Sequence, residues 1–305
     1  MNTVANVPQA PQLIDILRRS TAFLTKNGVE SARLDAEVLL ADVLELDRIQ
    51  LYVQYDRPLG GDELERYREA LKRRARRTPV AYVTGRKEFM SLDFAVDERV
   101  LIPRPDTEVL VEAVCSRLAA LGIAEPMVVD IGTGSGAIAC AISSEVLGAR
   151  VLGTDVSGDA LRVAASNVAR LGLEGRVFLA PGDLFEAVDG TEWELADVLV
   201  SNPPYVPSRE IDLLAPEISR HEPRLALDGG VDGLDFYRRI AEGAPRRLAG
   251  HGFVALEVGD GQAEPVAQIL CQAGLADLCT VVDYSGATRA VIGAMPWNGG
   301  EVDEP

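Results

Sequence analysis

A chain of 305 residues can hold two domains and a sizeable core, and its composition is that of an ordinary soluble globular protein. Its formal charge of −17 is unevenly placed: residues 1–103 carry 16 Lys/Arg against 16 Asp/Glu, so the whole excess falls on residues 104–305. A surface that acidic repels phosphate backbones, and no apolar run is long enough to span a bilayer, so neither a nucleic-acid nor a membrane partner is expected. Cys115, Cys140, Cys271 and Cys279 are scattered, with no CxxC pair and no histidine nearby. That pattern excludes a disulfide framework and a zinc site and suits a reducing cytoplasm, as does a start without a basic segment leading into an apolar one.

In chain order, residues 1–80 read as a small helical module. "QLIDILRRSTAFLTKNG" places apolar residues at helical spacing and stops at Asn27-Gly28. "SARLDAEVLLADVLEL" follows with Ser31 as N-cap, and a third helix covers about 61–77 and halts before Pro79. Its "ERYREALKRRARR" is the one basic run, and a solvated helix face explains it. Residues 81–103 alternate apolar and polar in two short runs, which predicts a β-hairpin linker. A helix then starts after Pro105 with Asp106 or Thr107 as its cap. From there to about residue 295 strands and helices alternate, which predicts a largely parallel sheet covered on both faces. "DLCTVVDY" and "TRAVIGAM", joined by a short turn, should close it as an antiparallel pair, and the tail 296–305 reads as disordered.

The first strand of the sheet ends in "DIGTGSGAIA", a turn whose glycines, Gly132, Gly134 and Gly136, let backbone pass close to a ligand. Alone this is a weak signal, shared with nicotinamide enzymes. Here the spacing is GxGxG rather than GxGxxG, Asp130 precedes the turn, and Asp155 ends the second strand, where a carboxylate can accept both ribose hydroxyls. Asp183-Leu184 closes the third strand, where an acidic side chain can meet an adenine amino group. All these stretches fall at carboxyl ends of strands, where open α/β sheets bind ligands. The set fits an adenosine without a pyrophosphate, hence S-adenosylmethionine.

"SNPPYV" ends the fourth strand, because proline cannot donate to a sheet ladder. A planar –NH2 conjugated to a carbonyl or an aromatic ring is a poor nucleophile. Two acceptors can hold it at the methyl: the Asn202 side-chain oxygen and a backbone carbonyl of the rigid Pro203-Pro204 pair. Tyr205 offers a flat face for the planar group. Such chemistry needs no histidine or metal, and His221 and His251, the only two histidines, lie in no evident constellation.

Asn-Pro-Pro-Tyr after a fourth strand resembles the amino methyltransferases, both adenine-N6 and glutamine-N5 types. With "TGRKEFMSLDFAVDERVLIPRPDTEVLVE", "DIGTGSGAIA" and "HEPRLALDGGVDGLDFYRRI", nearly the whole chain resembles the peptide chain release factor glutamine methyltransferases. The resemblance implies a Rossmann-like class I methyltransferase sheet, mostly parallel with the last strand antiparallel, behind a helical N-terminal domain that docks substrate. It implies transfer of a methyl group from S-adenosylmethionine to the side-chain nitrogen of the glutamine in the Gly-Gly-Gln motif of release factors; a cytoplasmic monomer is expected. By position, Asp130, Gly132, Thr133, Gly134, Ser135, Gly136, Asp155, Asp183, Leu184 and Asn202 would hold the cofactor. Pro103 and Arg104 of the "IPRP" loop would line the same pocket, and Asn202, Pro203, Pro204 and Tyr205 would hold the glutamine. The competing reading is an adenine-N6 nucleic-acid methyltransferase, which must extrude its base and normally carries a basic recognition region. The acidic charge of the second domain disfavours it.

Overall fold

The computed structural model describes residues 11–296, and the chain falls into two compact units, Met1–Gly85 with Pro216–His221, and Arg86–Ala215 with Glu222–Pro305. All but the first residue of the tail read as disordered lies outside the described residues.

The first unit is helical: α1 Leu13–Lys26, α2 Ala32–Leu44, α3 Arg48–Val53, α4 Gly61–Ala75 and α5 Val80–Thr84. Its core gathers Leu13, Leu24, Leu39, Leu40, Leu51 and Tyr67, each at most 1% exposed, and the Tyr67 hydroxyl donates to the Ala36 carbonyl at 3.0 Å. Ser31 caps α2 by position, yet its hydroxyl donates to Asp35 instead of accepting a backbone N–H. α3 and α5 went unread in the sequence because five or six residues carry too little periodicity. α5 also occupies the start of the stretch expected to be hairpin. The basic run is not merely solvated: Arg74 is 5% exposed, pairs with Asp35 at 2.7 Å, and with Arg77 holds Glu217, 2.8 and 2.7 Å away. Burial at that depth is tolerated because each charge has a partner.

The second unit opens with a hairpin, β1 Arg86–Phe89 and β2 Leu92–Ala95, whose turn residues Met90 and Ser91 are both left-handed (φ 48° and 59°) as a tight two-residue hairpin requires. α6 Pro105–Leu121 follows. Its N-cap is Arg104 and not Asp106 or Thr107, because the fixed φ of Pro105 suits the first helical position. The alternation then runs β3 Met127–Ile131, α7 Ala137–Glu145, β4 Arg150–Asp155, α8 Gly158–Arg170, β5 Val177–Pro181 and β6 Ala196–Ser201. The short α9 Pro216–Ser219 belongs to the helical unit. The chain returns with α10 Asp235–Gly243, β7 Leu248–Glu257, α11 Ala263–Gln272, β8 Ala276–Val282 and β9 Thr288–Ala294.

The seven strands lie in the order β5-β4-β3-β6-β7-β9-β8. From β5 to β7 all neighbours are parallel, and β9 runs antiparallel to both β7 and β8. The β8–β9 turn is closed by Asp283, whose carboxylate accepts from Ser285, Ala287 and Arg289, so that strand pair could only be antiparallel. This is the expected doubly wound, Rossmann-like sheet. The central strands are apolar on both faces, with Val128, Val129, Val198, Leu199, Val200 and Phe253 all sealed from solvent. Strand order reverses between β3 and β6, and a ligand crevice belongs at their carboxyl ends.

Candidate active site

Three features meet at that reversal point. After β3 the chain turns through Gly132 and Gly134, at φ 73° and 56°, which side chains with a Cβ rarely adopt. The N–H groups of Gly132 and Thr133 both donate to the Thr154 carbonyl, at 2.8 and 2.9 Å, which ties the turn to β4. Asp155 at the end of β4 accepts the Gly134 N–H (2.9 Å) on Oδ2 and the Ser157 N–H (2.8 Å) on Oδ1. Each carboxylate oxygen thereby keeps a second lone pair free. On the other side of the reversal the Ser201 hydroxyl donates to the Ile131 carbonyl (2.6 Å), locking the end of β6 to the end of β3. Asn202 follows at once.

These ends open onto one cleft within the second unit, about 830 Å³ with its open mouth included. Gly132, Gly134, Asp155, Asp183, Leu184, Asn202, Pro203 and Pro204 all line it. The sequence missed part of its wall: Arg99 to Leu101, Val156, Ser157 and Ala160, and the apolar group Pro223, Leu225, Ala226, Phe236 and Ile240. Arg99 to Leu101 and the apolar group lie in two of the segments that carry the resemblance, but the sequence assigns them no site role; the fold collects them. Asp183 also pairs with Arg239 at 2.7 Å. Leu184 stands at φ 54°, a left-handed conformation that costs a leucine about 1–2 kcal/mol.

Other expected cofactor residues stand behind the wall instead of on it. Asp130 is fully buried, and its Oδ2 accepts the Thr133 hydroxyl at 2.6 Å. Thr133 is thereby spent on the turn itself. Ser135 is 4% exposed, and its carbonyl accepts from Asn167 Nδ2 at 2.9 Å. Gly136 caps α7 against Ala164, whose Cβ would lie 3.3 Å from a Cβ built on the glycine. Burial drives the Asp130 carboxyl up to about 7. These four residues shape the turn. Pro103 is buried, and the Arg104 guanidinium is held by Glu222, whose carboxyl burial raises although that arginine pulls it back. Of that loop only the preceding residues, Arg99 to Leu101, reach the cleft.

The Asn-Pro-Pro-Tyr segment is packed from behind by glycines. A Cβ on Gly229 would come 2.8 Å from both the Pro204 oxygen and Tyr205 Cα. The Pro204 carbonyl lies toward Gly229, and neither proline carbonyl accepts a backbone hydrogen bond among the described residues, so the pair offers free acceptors beside Asn202. The Tyr205 ring does not line the cleft; it lies against Gly259, and its carbonyl accepts from Gln262 at 2.9 Å. Burial pushes the Tyr205 hydroxyl up to about 12, so it remains a neutral phenol. Asn202 Nδ2 donates to Thr107 Oγ1 at 3.2 Å, and beside them Glu257 closes β7 at 2% exposure, its carboxyl driven up to about 7 by burial. The sequence did carry a signal for Glu257, an acidic residue ending the apolar run "FVALEVG". His251 pairs with Asp197 at 2.6 Å and does not line the cleft, and His221 meets the Arg76 carbonyl at 3.3 Å within the helical unit.

The residues fit an adenosine-bearing ligand: bare backbone at two glycines, a carboxylate with free lone pairs, and an apolar floor. Residues 15–85 match the family described as the PrmC N-terminal domain, and residues 105–230 the methyltransferase small domain. The release factor glutamine methyltransferase of Geobacter sulfurreducens is 43% identical over 286 residues, covering 94% of this chain and 98% of that one. That of Moorella thermoacetica is 43% identical over 274 residues, covering 88% and 93%. Among solved structures the hMettl16 catalytic domain, in complex with a 3′UTR hairpin, aligns over 90% of each chain with a TM-score of 0.56 at 15% identity, a likeness of fold alone. With identity at this level along almost its whole length, the chain belongs to the release factor glutamine methyltransferase family.

Proposed function

We propose that this chain transfers a methyl group from S-adenosylmethionine to the side-chain nitrogen of the glutamine in the Gly-Gly-Gln motif of peptide chain release factors. The observation that carries the reading is that Asn202 and Pro203 stand on the same cleft as Gly132, Gly134 and Asp155. The nucleoside half and the amide-holding half are thus one site.

In this reading Asp155 accepts the ribose hydroxyls on the lone pairs its backbone partners leave free. Gly132 and Gly134 give close approach, and Leu184, Val156 and Ile240 pack the base. When bound, S-adenosylmethionine supplies an electrophilic methyl group. Asn202 Oδ1 and the Pro203 carbonyl each accept one N–H of the glutamine amide, which fixes the nitrogen and turns its lone pair toward the methyl. Acceptors held in place before binding lower the barrier because they need no reorganisation. Pro203 and Pro204 make that region of backbone stiff. Tyr205 supports the loop from behind. The helical unit docks the protein substrate.

The test is incubation with labelled S-adenosylmethionine and a purified release factor, followed by mass spectrometry of the Gly-Gly-Gln peptide. Label on that glutamine is the expected result. Label on DNA or RNA with none on the release factor would overturn the reading.

A further inference from the structure

The Asn202 amide can serve as acceptor in only one of its two orientations, and the cause of that choice lies outside the cleft wall. Ser201 pairs with Leu256 across β6 and β7, so the next residues, Asn202 and Glu257, emerge side by side at the strand ends. The Glu257 carboxyl stands beside Thr107 and Asn202, and both side chains hold it toward its charged form against the pull of burial. Its Oε2 is buried without any partner, which leaves Oε1 as the oxygen able to accept from them. The backbone is fixed as well, since the Tyr237 hydroxyl donates to the Glu257 carbonyl at 2.8 Å.

A buried carboxyl with one oxygen unsatisfied destabilises a fold, and an apolar residue of similar size is commonly better tolerated. Its use must therefore be sought in the neighbours. Thr107 has one proton to donate, and giving it to Oε1 leaves the Thr107 oxygen free to accept from Asn202 Nδ2. Oε1 can also accept the second N–H of Asn202 Nδ2. If Oε2 carries a proton, Oε1 still accepts, so the arrangement is the same in both protonation states.

We propose that Glu257, acting with Thr107, is a positioning residue that commits Asn202 Nδ2 to the protein side and so leaves Oδ1 facing the substrate amide. This rests on the glutamine-methylating reading above. Without the acceptor, the Asn202 amide is free to turn over and present two donors to a substrate that itself offers donors.

The full chain with Glu257→Leu, Glu257→Gln or Thr107→Val supplies the test. Glu257→Leu should lower kcat on a release factor by about 10- to 100-fold, the usual effect of losing a residue that orients a catalytic ligand, with KM and the Kd for S-adenosylmethionine within about twofold of wild type. Glu257→Gln keeps one accepting oxygen and should recover most of the loss. A separate readout needs no ligand: in 1H–15N spectra of the free protein the Asn202 side-chain amide should exchange with water on the order of tenfold faster in Glu257→Leu and Thr107→Val. Unchanged kcat and exchange in a folded Glu257→Leu protein would overturn the proposal, as would a loss of cofactor affinity matching the loss of kcat. Should Glu257→Leu fail to fold, Thr107→Val decides by the same two measurements. If wild-type protein leaves the release factor unmodified, the parent reading falls, and amide exchange alone judges the Glu257 link.

Discussion

The glycine-turn half of the cleft and the asparagine half are held by different kinds of bond. Around Gly132, Gly134 and Asp155 nearly every contact is backbone to backbone or backbone to one carboxylate. Around Asn202 the contacts run between side chains, through Thr107 to a buried glutamate with an unsatisfied oxygen. A backbone-built site fixes shape and can be left stable. A side-chain network aimed at one amide keeps buried polar groups that an apolar core would replace. The contrast assigns affinity to the first half and rate to the second.

Three substitutions can break or sharpen that division. The largest effect is expected from Asn202→Ala, which removes one preformed acceptor: turnover should drop by about a thousandfold while cofactor affinity stays within a few fold, read by single-turnover kinetics and calorimetry. Equal losses of rate and affinity would erase the division. Asp155→Ala should show the reverse pattern, weakening cofactor binding by roughly 10- to 100-fold because two charge-assisted hydrogen bonds are lost, with kcat at saturation little changed. The smallest effect concerns the fully buried Asp130, whose carboxyl sits near 7 in the fold against 3.8 ordinarily. With the folded value raised, its contribution to stability is complete below about pH 4 and is lost as pH rises through about 7. Relative to wild type, Asp130→Asn should therefore gain roughly 1–2 kcal/mol between pH 5 and pH 7 in urea unfolding. A parallel pair of pH profiles would show that Asp130 keeps its ordinary value.

The same division explains what the sequence could tell. The first half was legible because backbone demands leave residue-type signatures: glycine at left-handed positions, and a carboxylate at a strand end. Asn-Pro-Pro was legible because two prolines must end a strand. Glu257 was legible only as an acidic residue ending an apolar run, and its role and that of Thr107 were not, since they depend on the β6–β7 register that brings Ser201 beside Leu256. Thr107 read as a helix cap, and only the structure frees its hydroxyl by moving the cap to Arg104. Arg104 was expected in the pocket, and Glu222, 118 residues away in the chain, holds it elsewhere. The α/β alternation gave the mostly parallel sheet in outline. α3 and α5 escaped because they are shorter than two helical turns.

Glu217 bears on genetic modularity. The family match for the N-terminal region ends at residue 85, yet residues 216–221 belong to that helical unit, and Glu217 among them is the carboxylate shared by Arg74 and Arg77. A gene fragment cut at residue 85 would express a bundle that lacks this counter-ion. The unit is therefore not a cassette that recombination can move whole by exchanging one end of the gene. Grafting it onto another enzyme would require carrying six residues from the middle of the second unit's own coding sequence.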